Sequence, residues 1–370
     1  MAVLTLNSKR FLETPLPLGT SWLLASCMEA KGKQDLWTRQ KPEVLAVLRE
    51  RAIVQSVESS NRIEGVTVEA LRFRPLVLGK SRPRDRSEEE LSGYRRALDW
   101  IFSRKGRVKI TSSVIRKLHA FAQGGASSPG GVFGGADAGE WKKRNNEIIE
   151  LPPGGGDRRV RFVPATAKET PRLIEELCKR YVAACEDQRV PALLLVSAFV
   201  FDFLCIHPFR DGNGRVSRLI TTLLLQSHGF EVSRYVSLER LVEASKEDYY
   251  RVLEDTSKGW HDGSNDVVPW WNYVLGVVRL AYQELETQVE FVAGRPVKGD
   301  LVRRTVLEQV GDFTLGDVVA QAAGVSPQLV RKVLSELRGE GKIALTGRGR
   351  GARWRIHVKE QATRRPRKLH

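Results

Sequence analysis

The chain has 370 residues, of which 41% are hydrophobic and 28% are charged. This composition is too balanced for a disordered tail, and the chain is longer than one ordinary domain, so we expect two or three folded domains. Residues 1–27 lack a signal-peptide pattern, and the longest apolar stretch, 191–206, is interrupted by Ser197 and Asp202. Both features argue against export and membrane contact. The four cysteines form no C-x-x-C pair, as expected of free thiols in a reducing cytoplasm.

Positive charge is concentrated at the C-terminal end. Lysine and arginine number 60 against 44 aspartate and glutamate residues, which gives a formal charge of +16. Residues 294–370 hold 17 basic and 7 acidic residues, so +10 of that charge lies in the last fifth of the chain. Because glycine and proline punctuate 292–297, we predict a linker over 292–299 and a separate basic domain after it. A segment with this excess of positive charge is expected to attract polyanions.

Apolar residues recur at helical spacing along most of the chain, which predicts a mainly α-helical fold. After a Gly-rich region at 124–139, two extended runs, 141–150 and 160–163, flank a Gly-rich tip at 152–157 and predict a β-hairpin. The upstream helices are predicted at 42–62, 88–103, 111–122, 168–187, 191–205, 213–228, 238–255 and 268–290. Helices at 301–310, 314–323 and 326–338, then two strands within 342–356, are predicted in the basic segment.

The segment from His207 to Arg218 carries the chemistry. It reads His-Pro-Phe-Arg-Asp-Gly-Asn-Gly-Arg-Val-Ser-Arg and joins an apolar helix to the start of the next. Gly212 and Gly214 allow a ligand to approach the backbone closely, and the unpaired amides of a helix start bind anions. Arg215 and Arg218 have i, i+3 spacing, so we expect both guanidiniums on one face, where they hold phosphate oxygens.

Two further residues complete a site for phosphoryl or nucleotidyl transfer. Asp211 offers a carboxylate suited to a Mg²⁺ ion that bridges phosphates. His207 can accept a proton from an attacking hydroxyl near neutral pH. A calcium loop beginning at Asp211 is excluded because Val216 and Thr222 stand where glycine and glutamate are required. The chain also contains no G-x-x-x-x-G-K-[S/T] phosphate loop.

This segment matches every defined position of the Fic family motif, H-x-F-x-[D/E]-G-N-G-R-x-x-R, and the chain therefore resembles that family. The matching residues are His207, Phe209, Asp211, Gly212, Asn213, Gly214, Arg215 and Arg218. The resemblance implies a helical bundle that transfers AMP from ATP to a hydroxyl side chain of a target protein or of itself. The sequence does not decide whether a second copy of the chain is a partner.

The resemblance also implies a role for each residue. His207 is the general base, Asp211 holds Mg²⁺, and Phe209 is buried below the loop. The anion hole is formed by Gly212, Asn213 and Gly214, and the β- and γ-phosphates are held by Arg215 and Arg218. A hairpin flap positions the target backbone beside the histidine, and here 141–149 with 160–163 corresponds to it. Lys142 stands where family flaps often have arginine.

Other aromatic and histidine residues carry weaker signals. Tyr249 and Tyr250 are expected just before a helix, and Tyr250 is a candidate nucleotide contact because tyrosines near this position line the adenine pocket of similar proteins. An aromatic pair at this spacing also fits a core position. His119, His228 and His261 have no metal-ligand spacing around them and are interpreted as structural.

An inhibitory element is expected at the end of the helix predicted from residue 42. Ser60, Glu64 and Gly65 resemble the Fic inhibitory motif [S/T]-x-x-x-E-[G/N], and they precede the catalytic core. Glu64 is expected to pair with Arg218 and so exclude the γ-phosphate. The alternative is ordinary helix punctuation, because Gly65 suits a left-handed C-terminal cap.

The basic segment resembles a winged helix-turn-helix. Its third helix would be the recognition helix, and Arg348, Arg350 and Arg353 would reach DNA from the wing. A docking module with a solvated basic face is the alternative. The predicted domains are an N-terminal helical region with the inhibitory helix at about 42–64 (1–105), a Fic core (106–291), a linker (292–299), a winged helix-turn-helix (300–358) and a basic tail (359–370).

These observations predict a cytoplasmic, autoinhibited protein adenylyltransferase that uses ATP and Mg²⁺. Two enzymatic alternatives are removal of AMP from a modified protein, with Glu64 positioning water, and transfer of a different nucleotide. An alternative of another class is a DNA-binding regulator whose Fic half senses nucleotide. The presence of His207 argues against a pure sensor, because ligand binding alone requires no base there.

Overall fold

The computed structural model describes most of the chain and divides it into two compact units, Met1–Glu290 and Phe291–His370. The described residues are 3–7, 9–38, 42–104, 106, 108–124, 137–150, 158–293, 298–322, 325–347 and 352–356. The fold is mainly helical, which confirms the predicted fold class. Among the described helices, none combines the length and the apolar character needed to cross a lipid bilayer.

The first unit contains twelve α-helices and a two-stranded sheet within its described residues. The helices are α1 (Lys9–Glu13), α2 (Leu18–Thr38), α3 (Pro42–Ile63), α4 (Ala70–Val77), α5 (Arg86–Phe102), α6 (Ser112–Ala122), α7 (Thr170–Asp187), α8 (Ala192–Ile206), α9 (Asn213–Ser227), α10 (Leu238–Ala244), α11 (Lys246–Ser257) and α12 (Val268–Ala293). The strands are β1 (Ile148–Glu150) and β2 (Arg159–Phe162), which pair antiparallel.

Helix α8 is the centre of this unit. It is apolar on all sides apart from Ser197 and Asp202, and every residue from Leu193 to Ile206 is buried, as expected of a helix enclosed by others. Helices α7 and α9 pack on α8, and α5 and α6 pack against α9. Helix α3 contacts α5, α9 and α10. The loop between α8 and α9 is therefore held on a rigid scaffold, and the end of α3 lies close to it.

The end of α3 is defined by its capping geometry. Gly65 adopts φ +77°, a conformation that favours glycine. Its amide donates to the carbonyl of Arg62 at 3.0 Å, and the amide of Val66 donates to the carbonyl of Asn61 at 2.9 Å. This pair of bonds is the Schellman motif, which satisfies the last carbonyls of a helix. Glu64 is therefore held at the point where the helix stops.

Two predicted elements differ from the observed ones. The single helix predicted over 238–255 is interrupted at Ser245, whose hydroxyl lies 3.0 Å from the Leu241 carbonyl and 2.9 Å from the Tyr273 hydroxyl. The strand predicted from residue 141 begins only at Ile148, because Lys142 binds the last carbonyl of α8 and Asn146 binds a loop carbonyl, so neither has a strand partner. The tip predicted at 152–157 lies outside the described residues.

The second unit has a short helical core followed by a β-hairpin. It contains α13 (Lys298–Leu307), α14 (Leu315–Gln321), α15 (Pro327–Gly339), β3 (Ile343–Thr346) and β4 (Arg353–Ile356). Its core includes Val302, Val306, Phe313, Leu334 and Leu337. Thr314 and Asp317 form a capping box at α14, and β3 pairs antiparallel with β4. Arg348 and Arg350 of the predicted wing, and the predicted basic tail, lie outside the described residues, so the winged-helix assignment stays a prediction.

Candidate functional site

The site is built on the loop between α8 and α9. Gly212 adopts φ +77° and immediately precedes α9, whose first amides have no acceptor within the helix. The side chain of Asn213 holds the loop from within, because its Oδ1 accepts from the Phe209 amide at 2.9 Å and its Nδ2 donates to the Phe209 carbonyl at 2.8 Å. The loop thus presents a preformed anion-binding backbone.

Phe209 and His119 support this loop through their packing and hydrogen bonds. Phe209 is fully buried, and its ring stacks on that of His119 with centroids 3.7 Å apart. His119 Nε2 lies 3.1 Å from the Asp211 carbonyl, and its Nδ1 accepts from the Gly139 amide at 2.8 Å. Burial lowers the pKa of His119 to about 4, which is consistent with a neutral ring that donates through Nε2. His119 therefore contributes to the structure of the loop.

His207 stands at the junction of α8 and the loop in a left-handed conformation, with φ +51°, which is unfavourable for a residue with a side chain. Its Nδ1 lies 3.2 Å from the Leu204 carbonyl. Because a carbonyl only accepts, Nδ1 carries the hydrogen and Nε2 keeps its lone pair. Burial, with a smaller effect from the nearby Lys142 ammonium, lowers the pKa of His207 to about 4. The ring is therefore an unprotonated base at neutral pH.

His207 lines a cavity of about 480 Å³, a volume within the range of small-molecule sites. The loop and α9 contribute His207, Gly214 and Arg218 to its wall. The hairpin and α11 contribute the other side, which includes Ile148, Arg161, Phe162, Lys246, Tyr250 and Glu254. A histidine base, the backbone at the start of α9 and one arginine therefore line the same cavity.

The carboxylate of Glu64 occupies part of this cavity. Its Oε1 accepts from Arg218 Nη2 at 2.7 Å. Arg218 also donates from Nε to the Ser60 hydroxyl at 2.9 Å and from Nη2 to the Ser60 carbonyl at 3.0 Å. A β-carbon on Gly214 would lie only 2.1 Å from the Glu64 carboxylate. The structure therefore brings Ser60 and Glu64 against the loop and its arginine.

Arg215 does not reach this cavity. Its guanidinium is buried and donates to Glu90 Oε2 at 2.7 Å and to the Ala122 carbonyl at 3.1 Å. Side chains three positions apart diverge by about 60° around a helix, and here each arginine meets a different carboxylate. In this structure Arg218 lines the cavity and Arg215 does not, and the joint role of the two arginines in holding phosphates stays a prediction. Arg215 instead connects α9 to α5 and α6.

The Arg215–Glu90 pair leads to a stability prediction. Replacing Glu90 with leucine removes the carboxylate 2.7 Å from the buried guanidinium and leaves only the largely exposed Asp211 carboxylate, 3.8 Å away. We expect the free energy of unfolding to fall by about 3–5 kcal/mol. Asp248→Ala is the control, because its ion pair with Arg251 is largely exposed and we expect a loss below about 1 kcal/mol. Urea denaturation of both variants measures the difference. Equal losses would contradict this account of Arg215.

Asp211 is not among the residues that line the cavity containing His207. Its side chain is 63% exposed, its Oδ1 accepts from the Gly212 amide at 2.7 Å, and it lines a second cavity with Arg86 and Arg210. The described residues include no cluster of three metal-ligating side chains. A single accessible carboxylate fits Mg²⁺, which keeps most of its ligands as water and phosphate oxygens. The residues present therefore fit an ion that arrives with a nucleotide.

Tyr250 lies inside α11, within the range 238–255 predicted to be helical and ahead of the helix predicted at 268–290. Its ring lines the cavity between the Arg161 guanidinium, 5.2 Å from the ring centroid, and the Lys246 ammonium, 5.9 Å away. Tyr249 is buried and packs against Trp270 and Tyr273. Tyr249 lines the same cavity as well, so both rings reach the candidate site and Tyr249 is also part of the core.

Sequence reasoning missed two lysines near the site. The ammonium of Lys246 donates to the Ile63 carbonyl at 3.1 Å and thereby holds the end of α3. Lys142, assigned to the flap from the sequence, is buried, and its ammonium binds the Ile206 carbonyl at 3.0 Å. The sequence gives no sign of either carbonyl contact, because the two carbonyls lie 183 and 64 positions away along the chain.

Comparisons with known proteins agree with this architecture. The Fic/DOC family model matches residues 109–225, which include the loop that carries His207. A Fido domain-containing protein of Dictyostelium discoideum is 31% identical over 100 residues, which cover 24% of this chain and 67% of that protein.

Solved structures share the fold. A Fic family protein from Desulfovibrio desulfuricans is 21% identical, with a TM-score of 0.57, and the alignment covers 94% of this chain and 98% of that one. A Fic domain containing signaling protein from Bacteroides thetaiotaomicron is 19% identical, with a TM-score of 0.55 and coverage of 74% and 98%. Fic-1 from C. elegans is 19% identical, with a TM-score of 0.51 and coverage of 74% and 73%.

The helical fold and the loop between α8 and α9 thus define a Fic-type domain, a class whose members are generally transferases that move a nucleoside monophosphate onto proteins. This chain belongs to the Fic/DOC family.

Proposed function

We propose that this protein is an adenylyltransferase that moves AMP from ATP to a hydroxyl side chain of a target protein or of itself. The observation that carries the proposal is the meeting of His207, Gly214 and Arg218 in one cavity at the start of α9. An unprotonated base, an anion-binding backbone and a cation are the groups that nucleotidyl transfer requires.

The chemistry follows from the geometry of His207. Its Nε2 accepts the proton of the attacking hydroxyl while the new bond to the α-phosphorus forms. The bond from that phosphorus to the bridging oxygen breaks, and diphosphate leaves. The amides at the start of α9 stabilise the negative charge on the α-phosphate oxygens, and the Arg218 guanidinium holds the terminal phosphate when it is free to do so.

Asp211 is the residue that would hold Mg²⁺. A Mg²⁺ ion neutralises phosphate charge during such a transfer. Tyr250 supplies an aromatic surface for the adenine ring in the same cavity. The exposed side chains of Ile149, Val160 and Val163 on and beside the hairpin offer an apolar surface to the backbone of a target.

Autoinhibition is part of the proposal. In the resting state Arg218 binds Glu64 and Ser60, so it cannot also hold a γ-phosphate. The Glu64 carboxylate stands against Gly214, where it repels a phosphate group. ATP then binds in an unreactive arrangement until the end of α3 moves.

The lowered pKa of His207 predicts the pH dependence of the reaction. A base with a pKa of about 4 stays unprotonated through the neutral range, so kcat in a released variant should be level from about pH 7 to about pH 5.5 and fall below it. The measurement is the initial rate of self-modification at saturating Mg·ATP. A decline centred near the ordinary histidine value of about 6.5 would contradict this environment for His207.

A nucleotide panel tests the proposed function. The full chain and a Glu64→Gly variant are incubated with Mg²⁺ and ATP, CTP, GTP or UTP, and intact mass is measured. We expect the variant to gain the mass of AMP with ATP. A gain with another nucleotide alone would identify a different transferase, and loss of AMP from a modified protein without any gain would favour the reverse reaction. No change with any nucleotide would refute transfer to itself, and a lysate labelled with radioactive ATP then tests other targets.

A second candidate function is DNA binding by the second unit. Arg331 and Lys332 are exposed on α15, and among the described residues neither forms an ion pair. This unpaired positive charge lies on the helix predicted to enter the major groove. A regulator that binds DNA and senses nucleotide would combine both units.

Charge reversal tests the DNA hypothesis. The full chain should bind duplex DNA with an affinity that falls steeply as salt rises, and a double variant with Arg331→Glu and Lys332→Glu should bind more weakly. Lys179→Glu with Arg180→Glu, an exposed pair on α7, is the control of equal charge. Equal weakening by both double variants, or no binding at low salt, would favour the docking-module alternative.

A further inference from the structure

Every carbonyl at the end of α8 has a defined hydrogen-bond donor. Helix termini normally leave four carbonyls without a partner inside the helix, and the last four of α8 lead directly into the catalytic histidine. The donors are the His207 amide to Phe203 (2.9 Å), His207 Nδ1 to Leu204 (3.2 Å), the Ala165 amide to Cys205 (3.3 Å) and Lys142 Nζ to Ile206 (3.0 Å). Only the last donor is a charged side chain.

The ammonium of Lys142 is enclosed at this position. The residue is 5% exposed, and its Nζ makes a second hydrogen bond to Asn146 Oδ1 at 2.9 Å. Burial lowers the pKa of Lys142 to about 8, so the group is still mainly protonated at pH 7. A cation at the C-terminal end of a helix is also favoured by the helix dipole. Burying a charged ammonium costs free energy, so its burial here indicates a specific structural role.

The same short segment holds the backbone on the other side of His207. The Lys142 amide donates to the Pro208 carbonyl at 2.8 Å, and Asn146 Nδ2 donates to the Phe209 carbonyl at 3.2 Å. Carbonyls before and after the histidine are therefore bound by one rigid segment. A left-handed residue with a side chain persists only where its surroundings enforce that conformation, and this segment supplies much of that constraint.

We propose that Lys142 is a positioning residue for His207. Its ammonium and its amide keep the histidine backbone left-handed, so that Nδ1 binds the Leu204 carbonyl and Nε2 faces the cavity. This inference deepens the proposed function and rests on it wherever activity is the readout. Lys142 touches neither substrate nor the reacting atoms, and it acts only through the backbone and the charge beside the imidazole.

The charge of Lys142 also has a direct consequence for the imidazole. Three charged groups act on His207: the Lys142 ammonium disfavours the imidazolium, whereas the carboxylates of Glu64 and Asp211 favour it. Removing the ammonium must therefore raise the pKa of His207, while removing an exposed neighbouring lysine must not. A purely structural lysine elsewhere in the core would leave this pKa unchanged.

The first experiment measures transfer in the Glu64→Gly background. We expect Lys142→Met to lower kcat at least tenfold while the Kd for ATP changes less than twofold, because the anion-binding backbone and Arg218 remain. Lys142→Arg should recover part of kcat, since it keeps the charge and the donors. Lys143→Met is the matched control, because Lys143 is exposed and lies outside both strands, and it should leave both values unchanged. An unchanged kcat in Lys142→Met, or a parallel loss of kcat and ATP binding, would overturn the proposal.

The second experiment does not depend on activity. The pKa of His207 is measured by NMR titration of ¹⁵N-labelled histidine, with the signal assigned through His207→Ala. It should rise in Lys142→Met and stay unchanged in Lys143→Met, and equal values in both variants would refute the positioning role. If Lys142→Met does not fold, Lys142→Gln, which removes the charge but keeps a hydrogen-bond donor, replaces it with the same expected directions. Failure of Glu64→Gly to transfer any nucleotide would refute the proposed function, and the titration would still decide the role of Lys142.

Discussion

Glu64→Gly is expected to modify itself with AMP at least tenfold faster than the unchanged chain. The substitution removes the carboxylate that lies 2.7 Å from Arg218 Nη2 and frees the space against Gly214. A charge-assisted hydrogen bond of this kind contributes about 1.5–3 kcal/mol, which corresponds to a roughly ten- to hundredfold larger reactive fraction. Intact mass after equal incubations with Mg²⁺ and ATP measures the change.

Three further variants separate inhibition from helix capping. Glu64→Gln keeps the size of the side chain but removes its charge, so it should also gain activity. Glu58→Gln is the matched control on the same helix, because Glu58 pairs with Arg62 and not with Arg218, and it should stay at the resting level. Arg218→Ala should show no gain, since it removes the inhibitory contact and the phosphate-binding cation together. If Glu64→Gly and the unchanged chain incorporate equally little AMP, the end of α3 has no inhibitory role and only terminates the helix.

His207→Ala is expected to lower AMP transfer by a factor of about 10² to 10⁴, the usual contribution of a general base. The loss should appear in the Glu64→Gly background, where transfer is measurable. ATP binding should persist, because Gly212, Asn213 and Arg218 are unchanged. Calorimetric titration with ATP measures binding, and intact mass measures AMP transfer.

The control for this variant is His228→Ala. His228 follows the other end of α9, and its Nε2 lies 2.8 Å from the Tyr181 hydroxyl, so its removal should leave transfer unchanged. Undiminished incorporation by His207→Ala would exclude the proposed mechanism. Loss of ATP binding together with transfer would instead assign His207 a role in holding the loop.

The sequence alone was sufficient for the features that depend on local chemistry. The period of its apolar residues predicted the helical fold, and the residues from His207 to Arg218 predicted a loop that leads into a helix start. Gly65 was recognisable as a helix end because only a residue without a side chain adopts that conformation easily. These features can be predicted from short stretches of sequence, because they depend on interactions within one or two helical turns.

The directions of long side chains were decided only by the tertiary structure. Arg215 and Arg218 look equivalent in the sequence, yet one meets Glu90, 125 positions away, and the other meets Glu64, 154 positions away. Lys142 reads as a flap residue, but its ammonium is buried against a helix end 64 positions further along the chain. Neither outcome follows from spacing, because a buried charge must find its partner wherever the packed helices bring one.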